Sequence, residues 1–303
     1  MKNLVKFSQI EMKIVQIIGG LGNQMFQYAL LIALRERFKQ DIKYDTCFFN
    51  GYSIHNGFEL DKIFDITAKK AELQEIKKIY YPFIGHYSLF RFYKHFCPVL
   101  KSEIRETKAI GFQKEVFERD EDIYYDGYWQ DYRYFQNYRD KIIEEFQFKI
   151  DLDDKNKAVF NQLQSTQSVS IHIRRGDYLK NKRFKGICDI EYYSKAIEKV
   201  KGIINGDATF ILFSNDINWT KMNIVPLIGE DNQIILADWN KGPQSYLDMR
   251  LMSACHINII ANSSFSWWGA FLNKNKDQIV IAPKVWVNSV QSCIRQLPSW
   301  IKI

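Results

Sequence analysis

The sequence is poor in cysteine and has no close cysteine pairs. Its 303 residues include five cysteines, an odd number, and none forms a Cys-x-x-Cys pair. This argues against a disulfide framework and against a structural zinc site, since both need cysteines in close sets. We therefore expect the protein to work in a reducing compartment. The five residues are Cys47, Cys97, Cys188, Cys255 and Cys293.

Long apolar runs and concentrated charge are also missing. No apolar stretch approaches the length of a membrane-spanning helix, and no signal peptide opens the chain. The net charge of +7 is spread along the sequence, without zinc-finger spacing or an RNA-binding aromatic motif. We expect no nucleic-acid partner and a cytoplasmic location, with peripheral docking at the inner face of the membrane as a further option.

Apolar residues are plentiful and arranged in alternating strand and helix patterns. Hydrophobic residues make up 46% of the chain and aromatic residues 15%, enough for a large core. Strands separated by helices predict an α/β fold with a mainly parallel sheet. In the second half the predicted strands cover residues 168–173, 208–213, 233–236, 257–261 and 278–282.

The first half is regular only at its beginning. A strand is predicted at 14–18, followed by a glycine-rich turn, a helix to about Phe38 and a strand at 42–44. Between 50 and 125 the only clear element is a helix near 68–80, and a second helix is predicted over 131–147. A charged stretch at 151–155 suggests two domains, residues 1–155 and 156–303, with residues 1–11 as an extension.

The most informative stretch is residues 170–178, which read Ser-Ile-His-Ile-Arg-Arg-Gly-Asp-Tyr. Its period of two predicts a strand on which His172 and Arg174 point the same way. Ligands of α/β proteins bind at the carboxyl ends of strands, so this pair favours an anion such as phosphate. The alternative is an arginine in an ordinary salt bridge and a histidine in the core.

A glycine-rich turn precedes the first helix. Residues 19–24 read Gly-Gly-Leu-Gly-Asn-Gln, which differs from the dinucleotide-binding spacing and lacks the Gly-Lys-Ser/Thr of a P-loop. Glycines let a ligand approach the backbone, and the following helix offers free N–H groups. A tight turn without a ligand is the alternative, but Asn23 and Gln24 add directional polar groups.

Two further polar segments follow predicted strands. Residues 262–270 read Asn-Ser-Ser-Phe-Ser-Trp-Trp-Gly-Ala, where the polar residues suit an anion at a helix start or simply cap that helix. Asp216 ends the sequence Phe-Ser-Asn-Asp and could hold a ribose, a base or a basic side chain. Asp151-x-Asp153 looks like a metal motif but lies in a charged linker, so we predict no metal there. Together, the strand ends could hold a nucleoside diphosphate without magnesium, since arginine bonds phosphate oxygens in pairs.

These motifs, in this order, closely resemble the bacterial α-1,2-fucosyltransferases of glycosyltransferase family 11. The matching stretches are residues 20–29, 172–178, 213–216 and 262–270, with Gly-Tyr-Trp-Gln at 127–130. The resemblance implies a GT-B-like α/β fold, with two Rossmann-type domains facing across a cleft: an acceptor-side N-terminal domain and a donor-binding C-terminal one. It also implies an inverting, metal-independent transfer of L-fucose from GDP-β-L-fucose to the 2-hydroxyl of a terminal galactoside. The acceptor would be an oligosaccharide or a lipid-linked glycan of a surface polysaccharide such as an O-antigen.

The resemblance also assigns site residues. Arg174 would contact the donor diphosphate and stabilise the leaving GDP. As a separate hypothesis built on these positions, Asp177 would act as the base or brace an arginine, and Asn23 would orient the acceptor or a water. The residues expected to bind the donor are His172, Arg174, Arg175, Asp216, Asn262, Ser263, Ser264, Phe265 and Ser266, and those on the acceptor side are Gly22, Asn23, Gln24 and Trp129. The alternative function is transfer from a GDP-sugar with another acceptor or linkage.

Overall fold

A computed structural model describes residues 11–81, 83–107, 111–288 and 295–303. Within these residues ten strands form two sheets, and the paired strands run parallel throughout both. No helix in these ranges combines the length and apolar character that a membrane crossing requires. Most of the predicted N-terminal extension, residues 1–10, and Cys293 lie outside the described residues.

The N-terminal sheet has the strand order β2-β1-β4-β3. Its strands are β1 (Lys13–Gln16), β2 (Lys43–Asp45), β3 (Glu103–Arg105) and β4 (Ile123–Asp126). The long helix α1 (Leu21–Phe38) joins β1 to β2 and is buried through most of its length. The remaining helices of this half are α2 (Leu60–Ile63), α3 (Leu73–Ile79), α4 (Tyr87–Phe96) and α5 (Arg139–Glu145).

The C-terminal sheet has the strand order β7-β6-β5-β8-β9-β10. The chain builds outward from β5 on one side and then returns to add β8 on the other, so the order reverses between β5 and β8. In such sheets the crevice outside this reversal is where ligands bind. The strands are β5 (Ser168–Ile173), β6 (Thr209–Ser214), β7 (Gln233–Ala237), β8 (Ile257–Ile259), β9 (Ile279–Ala282) and β10 (Ile301–Lys302), and the helices are α6 (Asp154–Ser165), α7 (Ile190–Lys201), α8 (Ile217–Asn223), α9 (Val225–Ile228), α10 (Tyr246–Met252) and α11 (Ser264–Phe271).

The five strands predicted for the second half are confirmed, each to within two residues. Helix α7 is capped by Asp189, whose carboxylate accepts the Tyr192 N–H at 3.1 Å. The helix predicted over 131–147 is wrong in its first half, where two short 3₁₀ turns precede α5. Strand β3 and helices α4 and α6 were not predicted.

The charged stretch at 151–155 contains the start of a helix. Helix α6 begins at Asp154, and the Asp153 carboxylate accepts the Asn156 N–H at 2.9 Å as its cap. This gives Asp153 a structural role as the cap of α6. The division into domains at residue 155 stays a prediction.

Aromatic side chains join the helices of the two sheets. Trp267 and Trp268 of α11 are fully buried, and their rings lie 4.6 and 5.1 Å from the Phe26 ring of α1, centroid to centroid. Phe135, which follows β4, packs on both tryptophans. One apolar cluster therefore spans both halves and sets the orientation of one sheet toward the other.

Candidate active site

The carboxyl ends of both sheets open into one cleft with a volume of about 1490 Å³. Small-molecule sites typically have volumes of roughly 300–1,000 Å³, so this cleft has room for two ligands. Residues following β1 and β4 line one wall, and residues following β5, β6, β7 and β8 line the other. The polar lining includes Asn23, His55, Glu106, Tyr128 and Gln130 from the first half, and His172, Arg174, Asp177, Asn215, Asn262, Ser263, Ser264 and Arg295 from the second.

Two buried polar atoms without partners lie where the C-terminal strand order reverses. They are Nδ1 of His172, on β5, and Oδ1 of Asn262, just after β8. The other groups of these residues are bonded: the His172 carbonyl accepts the Tyr193 hydroxyl at 2.9 Å, and Asn262 Nδ2 donates to the Trp286 carbonyl. Since buried polar groups are rarely left unpaired, the two atoms mark a place where a polar ligand completes the site.

His172 is neutral in this setting. Burial, together with the positive charge of Arg174, lowers its pKa from 6.5 to about 3. Its ring therefore brings a hydrogen-bonding atom to the cleft without adding charge. The cation at this point of the cleft is Arg174, which follows β5 and is half-exposed.

Acid is expected to destabilise the fold through His172. The unfolded imidazole binds a proton below its ordinary pKa of 6.5, whereas the folded one does so only near pH 3. Because the unfolded state binds more protons, this residue lowers the unfolding free energy by about 1.4 kcal/mol for each pH unit below 6.5. Urea unfolding at pH 6.5 and at pH 5 would measure this effect. The decrease in unfolding free energy between the two pH values should be smaller in His172→Asn than in the native protein. Equal losses in the two proteins would contradict the assignment.

The two adjacent arginines have different roles. Arg174 Nη2 lies 2.9 Å from Asp177 Oδ1, and both side chains line the cleft. Arg175 turns away from the cleft, pairs with Asp216 at 3.4 Å and lies over the Trp219 ring at 3.8 Å. The predicted donor contacts of Arg175 and Asp216 are therefore replaced by contacts with each other. Asp216 also caps α8 by accepting the Trp219 N–H.

The residues of the serine-rich segment occupy three different positions: one caps helix α11, one is buried, and others line the cleft. The Ser263 hydroxyl accepts the Phe265 N–H at 3.3 Å and caps α11, whose N-terminus faces the cleft. Ser266 is buried, and its hydroxyl donates to the Ser263 carbonyl, so it does not reach the cleft. Ser264 and Phe265 line the cleft beside Asn262.

The glycine-rich segment meets the serine-rich segment directly. The turn ends at Gly20, so Gly22 and Asn23 lie in the first turn of α1 and not in a loop. Asn23 Oδ1 accepts hydrogen bonds from Ser264 Oγ at 3.1 Å and from Gln130 Nε2 at 2.5 Å. The Gly22 carbonyl accepts the indole N–H of Trp268 at 3.0 Å. Gly22 therefore takes part in the contact between the two halves, and both Gly22 and Asn23 line the cleft.

Gly22→Ala is expected to lower the unfolding free energy by about 1–3 kcal/mol. A Cβ at this position would lie 2.7 Å from the Ser264 carbonyl carbon and 2.8 Å from the Phe265 nitrogen, and these backbone atoms cannot rotate away. Thermal unfolding would measure the loss. Gly202→Ala is the control, because the nearest atom to its Cβ would be 3.6 Å away, and its melting temperature should not fall. Equal behaviour of both variants would contradict the close packing at Gly22.

Two residues predicted on the acceptor side do not line the cleft. Gln24 is fully buried, donates to the carbonyls of Gly19 and Gly57 at 2.8 Å, and accepts the Glu59 N–H. Trp129 is also fully buried, with its ring 5.6 Å from that of Tyr134. Its φ of 53° reverses the local backbone direction, and its neighbours Tyr128 and Gln130 line the cleft instead.

His55 is a cleft residue that sequence reasoning missed. A Cβ on Gly20 would lie 3.3 Å from the His55 ring, so the imidazole lies against the start of α1. Partial burial and the Arg174 charge lower the His55 pKa below 6.5, while Asp177 opposes that shift. His55 is thus an uncharged base beside the Arg174–Asp177 pair. It lies in an irregular loop, where no periodic pattern could have singled it out.

Arg295 and Gln130 form a second group that the sequence did not reveal. Arg295 Nε donates to Gln130 Oε1 at 3.2 Å, and Gln130 in turn donates to Asn23. This chain crosses from the second half to the first and orients Asn23. Within the described ranges, no group of three or more His, Cys, Asp or Glu side chains could hold a metal ion.

Comparisons with known proteins agree with the earlier resemblance. The sequence model of Glycosyl transferase family 11 matches residues 2–303. The chain is 34% identical to the alpha-1,2-colitosyltransferase of Escherichia coli over 301 residues, covering 96% of this chain and 98% of that protein. It is 31% identical to the Escherichia coli O-antigen biosynthesis glycosyltransferase WbnK over 303 residues, covering 94% and 98%. The human galactoside alpha-(1,2)-fucosyltransferase 1 is 25% identical over 268 residues, which are 84% of this chain and 63% of the human protein.

Solved structures show the same architecture at low sequence identity. The NodZ alpha-1,6-fucosyltransferase soaked with GDP-fucose is similar with a TM-score of 0.52 and 13% identity, covering 87% of this chain and 93% of NodZ. POFUT1 in complex with GDP-fucose is similar with a TM-score of 0.50 and 11% identity, covering 89% and 97%. The fold is GT-B, with two parallel α/β sheets facing a cleft, which confirms the predicted fold class.

Proposed function

This chain belongs to glycosyltransferase family 11, and we propose that it transfers L-fucose from GDP-β-L-fucose to the 2-hydroxyl of a terminal galactoside. The observation that carries the proposal is the group formed by Arg174 and the two unpartnered atoms of His172 and Asn262. It lies where the strand order of the C-terminal sheet reverses, the place at which such sheets bind nucleotides. The membership supports the reaction class, and the donor and linkage are our proposal.

The donor diphosphate would lie between Arg174 and the N-terminus of α11. Arginine offers a planar pair of donors that matches phosphate oxygens and stays charged throughout the reaction. In its Nδ1–H tautomer, His172 would donate to the same anion, and free N–H groups at the start of α11 would add to it. Asn262 Oδ1 is an acceptor and would take a hydroxyl of the nucleoside or of the sugar. This set of donors supports a reaction without a metal cofactor.

The acceptor would bind against the first half. Tyr128 offers a half-exposed aromatic ring, and Asn23 has its Oδ1 already occupied, so its Nδ2 group is left to donate to an acceptor hydroxyl. The chain from Arg295 through Gln130 holds that amide in place. A sugar bound here would lie between the start of α1 and the Arg174 loop.

The proposed transfer is a single inverting displacement. The galactose 2-oxygen forms a bond to fucose C1 as the bond from C1 to the β-phosphate oxygen breaks on the opposite face. The electron pair of that bond leaves on GDP, where Arg174 stabilises it. The hydroxyl proton passes to a base, which we propose is His55, with Asp177 holding Arg174 in place.

One comparison supports an alternative donor sugar in place of fucose. The Escherichia coli relative at 34% identity is named as a colitosyltransferase, and colitose is L-fucose without its 3-hydroxyl. The runner-up function is therefore transfer of colitose, or of another GDP-linked sugar, to a different acceptor or linkage. The O-antigen name of the second relative supports a surface glycan as the product in either case.

Incubation with GDP-fucose or GDP-colitose and a panel of β-galactosides tests the proposal. We expect an α-1,2-linked fucoside, identified by NMR of the product, and equal rates with and without EDTA. Transfer of colitose alone would establish the runner-up donor, and another linkage would establish a different regiochemistry. Loss of transfer in EDTA would overturn the metal-free mechanism.

A further inference from the structure

Helix α4 turns an apolar face toward solvent. Leu89, Phe92 and Phe96 are 59%, 69% and 68% exposed, and the Phe92 and Phe96 rings are 4.9 Å apart, centroid to centroid. At about 100° per residue these three positions fall on one stripe of the helix. We refer to Leu89, Phe92 and Phe96 as the outer face of α4.

The opposite side of α4 fixes the helix to the protein. Phe90 is buried, and its ring lies 3.9 Å from that of Phe48, centroid to centroid. Lys94 donates to the Asp126 carboxylate at 2.7 Å. Because this side supplies the contacts with the core, the outer face is not part of the core. Burying two phenylalanines is strongly favourable, so leaving them in water needs another reason.

The segment of the chain that carries the outer face is basic and contains no acidic residue. Residues 76–102 include five lysines and arginines, eight tyrosines and phenylalanines, and not one Asp or Glu. Lys94 is paired with Asp126, and the other four basic residues are exposed, namely Lys77, Lys78, Arg91 and Lys101. The segment that carries the exposed aromatic stripe therefore has an excess of positive charge.

We propose that the outer face of α4 docks on an anionic lipid bilayer. Apolar and aromatic side chains on one helix face, flanked by lysine and arginine, are the composition of helices that lie in a membrane interface. Anionic headgroups complement the exposed lysines of this segment, Lys77, Lys78 and Lys101, and this complementarity favours a bilayer over a second copy of this basic chain. A helix of ten residues is too short to cross a bilayer, so it would lie in the surface.

Docking at α4 would bring the cleft next to the membrane. Tyr87, Arg91 and Lys94 of the same helix line the cleft on the acceptor side. An acceptor carried on a lipid would then reach the site without leaving the bilayer. This last consequence rests on the proposed function, whereas the docking does not.

Co-sedimentation with lipid vesicles, without donor or acceptor, tests the docking by itself. The native protein should pellet with vesicles of equimolar phosphatidylcholine and phosphatidylglycerol, and much less with phosphatidylcholine alone or at high salt. The double variant Phe92→Ser/Phe96→Ser should bind at least about tenfold more weakly. Met222→Ser is the control, because Met222 is 71% exposed on α8, outside this face, and it should bind like the native protein.

Two measurements keep the outcome unambiguous. Circular dichroism and transfer to a soluble galactoside should be unchanged in Phe92→Ser/Phe96→Ser, since neither side chain lines the cleft. Equal pelleting of native and double-variant protein would overturn the proposal. So would sedimentation velocity showing a native dimer that the double variant converts to a monomer, because a second copy would then cover the face.

Discussion

Arg174→Lys is expected to lower the turnover of sugar transfer by about 10²- to 10³-fold. Lysine keeps the positive charge but replaces the planar pair of donors with a single ammonium group. The departing diphosphate gains charge in the transition state, so the loss should appear in kcat more than in the KM for the donor. Steady-state kinetics with GDP-fucose, alongside the melting temperature, would measure it. The melting temperature should stay close to native, because Arg174 is half-exposed and its pairing with Asp177 is a surface contact.

Arg175→Lys is the matched control for that result. Its guanidinium lies over the Trp219 ring at 3.8 Å and pairs with Asp216, so the conservative change should cost stability. Turnover should stay close to native, because the side chain does not line the cleft. Arg174→Lys would then lower kcat and leave the melting temperature unchanged, whereas Arg175→Lys would lower the melting temperature and leave kcat unchanged. A normal rate of transfer by Arg174→Lys would refute the leaving-group role.

The sequence was sufficient to predict that His172 and Asn262 lie at one edge of the C-terminal sheet. Strand β5 alternates apolar with polar residues, and β8 lies in the largely apolar stretch 257–261 that ends before Asn262, so both follow patterns that predict strands. Parallel strands bring their carboxyl ends to one edge, so His172 and Asn262 had to lie near each other once the α/β alternation was recognised. The period of two then indicated which residues of β5 share a face.

The sequence could not show which of the residues that follow those strands face the cleft. Arg174 and Arg175 have the same chemistry, but Arg174 lines the cleft whereas Arg175, with φ −121° and ψ −83°, pairs with Asp216 outside it. Trp129 adopts a positive φ, which few residues other than glycine do, and it is buried while its neighbour Tyr128 lines the cleft. Such dihedral choices are set by tertiary contacts and leave no pattern in the chain.

Further cleft residues could not be predicted because they lie in the irregular segment between residues 50 and 125. His55 comes near Gly20 in the first half and near Arg174 in the second, contacts that are distant in sequence and carry no periodicity. Helix α4 escaped prediction for a related reason. Its apolar stripe faces solvent and its core side includes Lys94, so its composition does not follow the usual rule for a core-packed helix.

His55→Gln is expected to lower kcat/KM for the acceptor by about 10²- to 10⁴-fold, the usual contribution of a general base. Glutamine keeps a polar side chain of similar reach but cannot take the proton of the 2-hydroxyl. Because the His55 pKa lies below 6.5, the unprotonated form predominates at neutral pH. The native enzyme should therefore lose activity only as the pH falls below 6.5, and the residual activity of His55→Gln should lack that acid limb.

Asp177→Asn separates the two candidates for the base. The Asp177 carboxylate raises the His55 pKa, so its removal should move the acid limb to lower pH while leaving transfer measurable. If Asp177 were the base, Asp177→Asn would lose its activity and with it the fall in activity at acid pH. His55→Gln would then keep both the activity and that acid limb. The carboxylate lies 2.9 Å from Arg174, where it can hold that guanidinium in position. Near-native transfer by His55→Gln would contradict the assignment and direct attention to Glu106, whose burial raises its pKa and which lines the same wall of the cleft.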